Sequence, residues 1–196
     1  MRQVFLERAD LDGPAFKAWF KNSQVVGEDG KPAVVYHGTT ALGDFDKFTQ
    51  SNDVGHHFGT AQAANDRLDF MAKDARKQGN PRTVPVYLSI QNALDMDDEH
   101  TWEPSGILDA LEHEGLVSAD DPRYSKDMLA IRTTSDKQRA NDALRRLIKN
   151  TGHDGIRYTN SSEDAGSTSW VALDPGQIKS VFNRGTFDRR RASIME

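Results

Sequence analysis

Apolar positions along the chain switch between strand-like and helix-like spacing. Asp12-Gly13-Pro14 followed by Phe16, Trp19 and Phe20 predicts a short helix with proline in its first turn and its aromatics one turn apart. Two apolar runs, Val25-Val26 and residues 33–36, flank Gly27-Glu28-Asp29-Gly30-Lys31-Pro32 and predict a hairpin turned at Asp-Gly. His57-Phe58-Gly59-Thr60 reads as a short strand leading into a helix over 61–77, where Ala64, Leu68, Met71 and Ala75 recur at helical spacing. Val84, Val86, Leu88 and Ile90 alternate with Pro85, Tyr87 and Ser89, the period of a strand, and Pro85 assigns that strand to a sheet edge or to a strand start.

Residues 103–115 predict a helix with Ile107, Leu108 and Leu111 inward, whereas 118–134 mixes polar residues without a clear period and reads as loop. Ser135-Asp136-Lys137-Gln138 has the spacing of a capping box for a helix whose stripe is Ala140, Leu144, Leu147 and Ile148 and whose end is Gly152. Gly155-Ile156-Arg157-Tyr158 and Ser169-Trp170-Val171-Ala172-Leu173 are then strands, with Asp174-Pro175-Gly176 as a turn before 177–181. The expected architecture is α+β, one domain over 1–188 of short, antiparallel-rich strands with flanking helices, followed by a basic C-terminal tail over 189–196. No repeat or low-complexity tract changes that picture.

A chain of 196 residues, 36% hydrophobic and 28% charged, is long enough to bury one substantial core. No apolar run approaches the roughly 20 residues that span a bilayer, and the first ten residues are too charged for a secretory signal, so a cytoplasmic location with no membrane partner is expected. The absence of cysteine excludes disulfides, thiolate catalysis and Cys-ligated zinc. Of the six histidines, His37, His56 and His57 are the ones near the expected cleft. Neighbouring strand residues face opposite sides, so His56 and His57 are not expected to share an ion, and no metal is assigned. A net charge of −5 disfavours binding nucleic acid by charge alone. Basic residues still gather at Arg145, Arg146 and Lys149 and again at Arg184, Arg189, Arg190 and Arg191, for which a solvated helix end and tail are the simple reading.

Chemistry concentrates at Val34-Val35-Tyr36-His37-Gly38-Thr39-Thr40, where an imidazole ends an apolar strand beside a glycine that lets another group approach the backbone. This block stands in order with Phe16-Lys17-Ala18-Trp19-Phe20, Phe45-Asp46-Lys47-Phe48, His57-Phe58-Gly59-Thr60, Val86-Tyr87-Leu88, His153-Asp154-Gly155-Ile156, the run 170–180 and Asn183-Arg184-Gly185-Thr186-Phe187-Asp188. On these blocks the chain resembles the ADP-ribosyltransferases of phage polyvalent proteins and related toxins across residues 12–188. It is more distantly similar to the poly(ADP-ribose) polymerase branch with its His-Tyr-Glu signature.

The resemblance implies an ADP-ribosyltransferase-like fold, two sheets around an NAD cleft, and NAD⁺ as substrate. It implies that His37, Gly38 and Thr39 hold the nicotinamide ribose and carboxamide. Phe58 falls where the wider superfamily has its tyrosine, as a face for nicotinamide to stack on. Gln177 is expected to orient the site. The polymerase-branch glutamate corresponds to Ser169, which cannot replace it. Asn160-Ser161-Ser162-Glu163 matches the acidic position of the phage-type relatives, making Glu163 the candidate carboxylate and Asp164 the second. A carboxylate is wanted because cleavage of the nicotinamide–ribose bond develops oxocarbenium charge.

The expected activity is mono-ADP-ribosyl transfer to a macromolecule, protein favoured, with nucleic acid admitted through Arg189, Arg190 and Arg191, in a phage or toxin setting inside a bacterial cell. Two alternatives stay open: a non-catalytic NAD-binding module on the same fold, and a small-molecule acceptor, as in rifamycin-modifying transferases, which also carry a Tyr-His-Gly-Thr strand.

Overall fold

The computed structural model describes residues 8–42, 46–49, 53–74 and 79–196. Phe45 of one matching block, parts of the Gly/Asp/Asn-rich stretch, and positions 75–77 expected in the second helix lie outside them. In chain order the elements are α1 (Pro14–Phe20), β1 (Val35–Thr39), β2 (His56–Phe58), α2 (Ala61–Ala72), β3 (Arg82–Leu88), β4 (Ala93–Met96), α3 (Pro104–His113), α4 (Ser125–Thr133), α5 (Lys137–Asn150), β5 (Gly155–Thr159), β6 (Thr168–Ala172), a 3₁₀ turn (Pro175–Gln177) and β7 (Ile178–Ser180). The class is α+β.

The strands form two small sheets. One has the order β1-β3-β7 and is antiparallel; the other has the order β2-β6-β5-β4, with only β4 and β5 parallel. They are joined by one antiparallel bridge. Tyr36 N–H donates to the Gly59 carbonyl at 2.9 Å, and Gly59 N–H donates back to the Tyr36 carbonyl at 3.1 Å.

The larger core cluster packs α3, α4 and α5 against the second sheet, through Leu108, Ile131, Leu144, Leu147 and Val171. A second cluster joins the sheets through Phe48, Phe58, Val86, Trp170 and Ile178. The third seats α1: Phe16, Trp19 and Phe20 meet Tyr87 and Phe187, and Trp19 Nε1–H donates to the Gly176 carbonyl at 2.9 Å.

Several local expectations are revised by long-range partners. The 25–36 hairpin reduces to a single bridge, Val26 with Pro32, because the chain beyond it leaves to pair with β3 as β1. β3 is central in its sheet despite Pro85. The residues of β1 that face β3 alternate with those that face away, and Tyr36, opposite Pro85, spends its backbone groups on Gly59. On the other side the pairing with β7 reaches only Val86, so the donor that proline lacks falls beyond the ladder. The stretch 118–134 contains α4, whose inward positions are Asp127, Met128 and Ile131. An aspartate on that stripe blurs the apolar period, and it is held there by Arg146 at 2.8 Å. α5 is capped by Asp136, one residue after the expected serine, through bonds from Gln138 and Arg139 N–H. β4 lacks any period of its own and exists because β5 pairs with it.

The segment 189–196 is not a free tail. Ile194 is 2% exposed within the inter-sheet cluster, and its backbone bonds Ser180 and Asp46. Lys179 is fully buried and donates to the carbonyls of Arg191 (3.0 Å) and Ser193 (2.7 Å); burial brings its ammonium down to about 8. Gly176 is needed here, since a Cβ at that position would lie 1.8 Å from the Arg189 carbonyl oxygen. The arginines are spent on neighbours: Arg189 on Asp154, Arg190 on Asp188, Arg191 on Glu196.

Deleting residues 189–196 therefore removes a core isoleucine and strands a buried cation. It is expected to destabilise the fold by about 3–5 kcal/mol, read as a large drop in thermal midpoint; a midpoint within a degree of the full chain would return the segment to the status of a tail.

Candidate active site

Where the two sheets meet, a cavity of about 620 Å³ opens, inside the range of roughly 300–1,000 Å³ typical of small-molecule sites. Its walls come from the centre of β1, from β2 and the residues before it, from one face of α2, from the turn Asp98 to Trp102, and from the loop between β5 and β6.

His37 lies at the middle of β1 rather than at its end, because Gly38 and Thr39 continue the pairing with β3. Its Nδ1–H donates to the His57 carbonyl at 2.8 Å, which leaves Nε2 as an acceptor on a cavity-lining ring. Burial lowers the His37 pKa and the charge of Arg67 adds to this, while the bond to His57 opposes it. The ring is neutral at pH 7.

Gly38 is required by packing. A Cβ there would sit 2.5 Å from the Ala64 carbonyl of α2, so the close approach that glycine allows is made by a helix. Strand alternation still matters: the N–H and C=O of Gly38 face the same side as those of Tyr36, past the single bridge and toward the cavity. Thr39 is 9% exposed, accepts from Ala41 N–H at 3.2 Å and is absent from the cavity wall.

Phe58 borders the cavity but is 2% exposed, set among Phe48, His37 and the inter-sheet core. A ring so enclosed has no open face for stacking. Gln177 is spent elsewhere. Its side-chain oxygen accepts from Leu173 and Asp174 N–H, and its amide donates to the Ser89 and Asp154 carbonyls, so it pins the turn before β7 instead of reaching the cavity.

Asn160 organises the carboxylate loop. Its Oδ1 accepts from Ser162 N–H (3.0 Å) and Glu163 N–H (2.8 Å). Its amide nitrogen donates to Ser169 Oγ at 3.1 Å and lies 3.5 Å from Glu163 Oε2. One asparagine thus connects the position of the polymerase-branch glutamate, Ser169, with Glu163. The two candidate carboxylates also part company here. Asp164 accepts from the Thr60 hydroxyl and donates its N–H to Asp66 at 2.8 Å, docking the loop on the N-terminus of α2. Glu163 lines the cavity, 3.5 Å from Arg67.

His57, which the sequence placed near the cleft, lines the cavity together with Trp102 and Tyr158, two of the lining residues that had no role in the sequence reading. Their rings pack at 4.8 Å (His57–Trp102) and 4.7 Å (Trp102–Tyr158). The Tyr158 hydroxyl is 3.2 Å from His57 Nδ1 and also bonds Ser169. Period-two alternation in β2 carries a signal for one of them, since a core-facing Phe58 turns His57 the other way. Trp102 has no local signal; its φ of 52° is a conformation that tertiary packing imposes. Arg145 sets the floor by donating to the carbonyls of Asp53 (3.0 Å) and Val54 (3.1 Å), immediately before β2.

The family model of the ADP-ribosyltransferase in polyvalent proteins matches residues 27–187. The chain belongs to this family. No curated protein and no solved structure was found to match it. The ADP-ribosyltransferase domain thus contributes β1, β2, α2 and the β5–β6 loop to one cavity. Among the described residues no helix is long and apolar enough to cross a membrane, and no group of three or more His, Asp or Glu is placed to hold a metal ion.

Burial dominates the titration of this ADP-ribosyltransferase site. It lowers His56 from 6.5 to about 4 and His57 to about 3, with neighbouring histidines and arginines adding to the effect. The folded chain keeps both rings neutral where the unfolded chain protonates them, so their contribution is whole above about pH 6.5 and is lost as pH falls toward those values. His57→Gln is expected to lower stability at pH 7 yet to flatten its decline between pH 7 and 5, followed by urea midpoints; a slope identical to that of the parent protein would contradict the neutral, desolvated histidine.

Proposed function

We propose that this domain transfers a single ADP-ribose from NAD⁺ to a protein, releasing nicotinamide, as a phage- or toxin-borne effector inside a bacterial cell. The observation that carries the reading is that His37 and Glu163, far apart in the chain, line one cavity of dinucleotide scale.

The cavity supplies complementary groups for each part of the reaction. The Gly38 N–H and C=O offer one donor and one acceptor in line, the pattern of a carboxamide. His37 Nε2 is a neutral acceptor for a ribose hydroxyl, its tautomer held by the His57 carbonyl. Glu163 is the carboxylate for the 2′-hydroxyl and for the positive charge that develops at C1′. As the bond from C1′ to the nicotinamide nitrogen breaks, its electron pair returns to the pyridine ring. The acceptor's nucleophile forms the new bond to C1′, and its proton passes to Glu163. Arg67, 3.5 Å from Glu163, offers a guanidinium to the diphosphate.

A protein acceptor is favoured over nucleic acid because the arginines of 189–191 are each paired with a carboxylate.

The test is nicotinamide release and label transfer from NAD⁺ in a bacterial lysate. Glu163→Gln is expected to lower the rate about 100-fold, the usual effect of removing one contact made in the transition state, and His37→Ala to cost at least as much while also raising KM for NAD⁺. Full activity in both variants, or no turnover of NAD⁺ by the parent protein, rejects the proposal. Binding without turnover identifies a non-catalytic NAD-binding module instead.

A further inference from the structure

Of the phenylalanines, tyrosines and tryptophans on the cavity wall, Phe58, Trp102 and Tyr158 are buried and Tyr36 is partly covered, whereas Phe70 on α2 is 58% exposed. A large aromatic surface left open on the wall of a cavity is unfavourable in water and is offset when a planar ligand covers it. Phe70 is flanked on the same wall by cations one turn to either side, Arg67 and Lys73. The Arg67 guanidinium carbon stands 5.6 Å from the Phe70 ring centre.

We infer that Phe70 is the stacking platform for the adenine of NAD⁺, with Arg67 and Lys73 as cations for the adjoining diphosphate. The assignment rests on the reading of the cavity as an NAD⁺ site and adds where the second base lies.

Position along α2 separates this station from that of nicotinamide. Ala64 covers Gly38, and Phe70 is six residues further along, about 9 Å at the 1.5 Å rise of a helix. The two bases of a dinucleotide are held apart by two riboses and a diphosphate, so they need separate stations at a spacing of this order. Glu163 and Arg67 are 3.5 Å apart at their closest. Reacting ribose, diphosphate and adenine then follow one another along the helix as Glu163, Arg67 and Phe70. Base stacking needs only the exposed face of an aromatic ring, and a tryptophan at position 70 keeps such a face.

The experiment measures Kd by calorimetry for ADP, ADP-ribose and nicotinamide mononucleotide on the full chain and on Phe70→Ala and Phe70→Trp. Phe70→Ala is expected to weaken ADP and ADP-ribose about tenfold and to leave nicotinamide mononucleotide unchanged, while Phe70→Trp restores ADP binding and so excludes a folding defect. Equal ADP affinity in parent and Phe70→Ala overturns the inference, as does an equal loss for the mononucleotide, which would assign Phe70 to the nicotinamide end. If nicotinamide is released but KM for NAD⁺ does not change in Phe70→Ala, this inference fails alone. Phe70-dependent ADP binding without any nicotinamide release keeps the adenine station and rejects the transferase. Failure of ADP to bind the parent protein rejects the station outright.

Discussion

A single antiparallel bridge between Tyr36 and Gly59 holds the two sheets edge to edge, and the cavity is the space left where that pairing stops. Both backbone groups of Tyr36 are committed to it, and those of Gly38, two residues on, face the same side, where no strand among the described residues pairs with them. A longer ladder would close the crevice; without the bridge the sheets would not be in register. One residue before Gly59, the chain turns Phe58 into the shared core. One further back, the His57 carbonyl takes the Nδ1 proton of His37. The same three residues of β2 therefore align the sheets, fill the core between them and select the imidazole tautomer.

Local hydrogen bonds set the loop that borders the cavity. Asn160 folds the loop after β5 by accepting from two backbone N–H groups, and Asp164 clips that loop to α2 through Thr60. Once Asp164 is committed, Glu163 is the acidic residue of that loop left on the wall. Glu163 is carried by a loop, and the strand position Ser169 is hydrogen-bonded to Asn160. A carboxylate on a loop reaches its station through the loop's internal bonds, so the asparagine positions it as much as the loop's own backbone does.

Desolvation acts throughout this region. Burial lowers His37, His56 and His57 and raises Asp53 and the Tyr158 phenol. In a low-dielectric cleft a charge developing on a ligand is felt strongly, and Glu163 and Arg67 form an ion pair on its wall.

The sequence by itself determined the α+β class, α1, α2, α3, α5, β3, β5, β6 and the strand through Tyr36-His37-Gly38, because each carries its own period, cap or punctuation. The resemblance to the phage-type relatives at Asn160-Ser161-Ser162-Glu163 offered Glu163, with Asp164 second, as a candidate carboxylate. What only the tertiary structure decided are features whose cause lies far along the chain. α4 has an aspartate on its buried stripe that Arg146 satisfies, β4 is defined by its partner, and residues 189–196 are drawn in by the carbonyls they offer to Lys179. The enclosure of Phe58 in the core and the hydrogen bonds of Gln177 have the same origin: period and spacing say which residues share a face, while the partner that covers a face is chosen by chain segments far along the chain, as Trp170 is from Phe58.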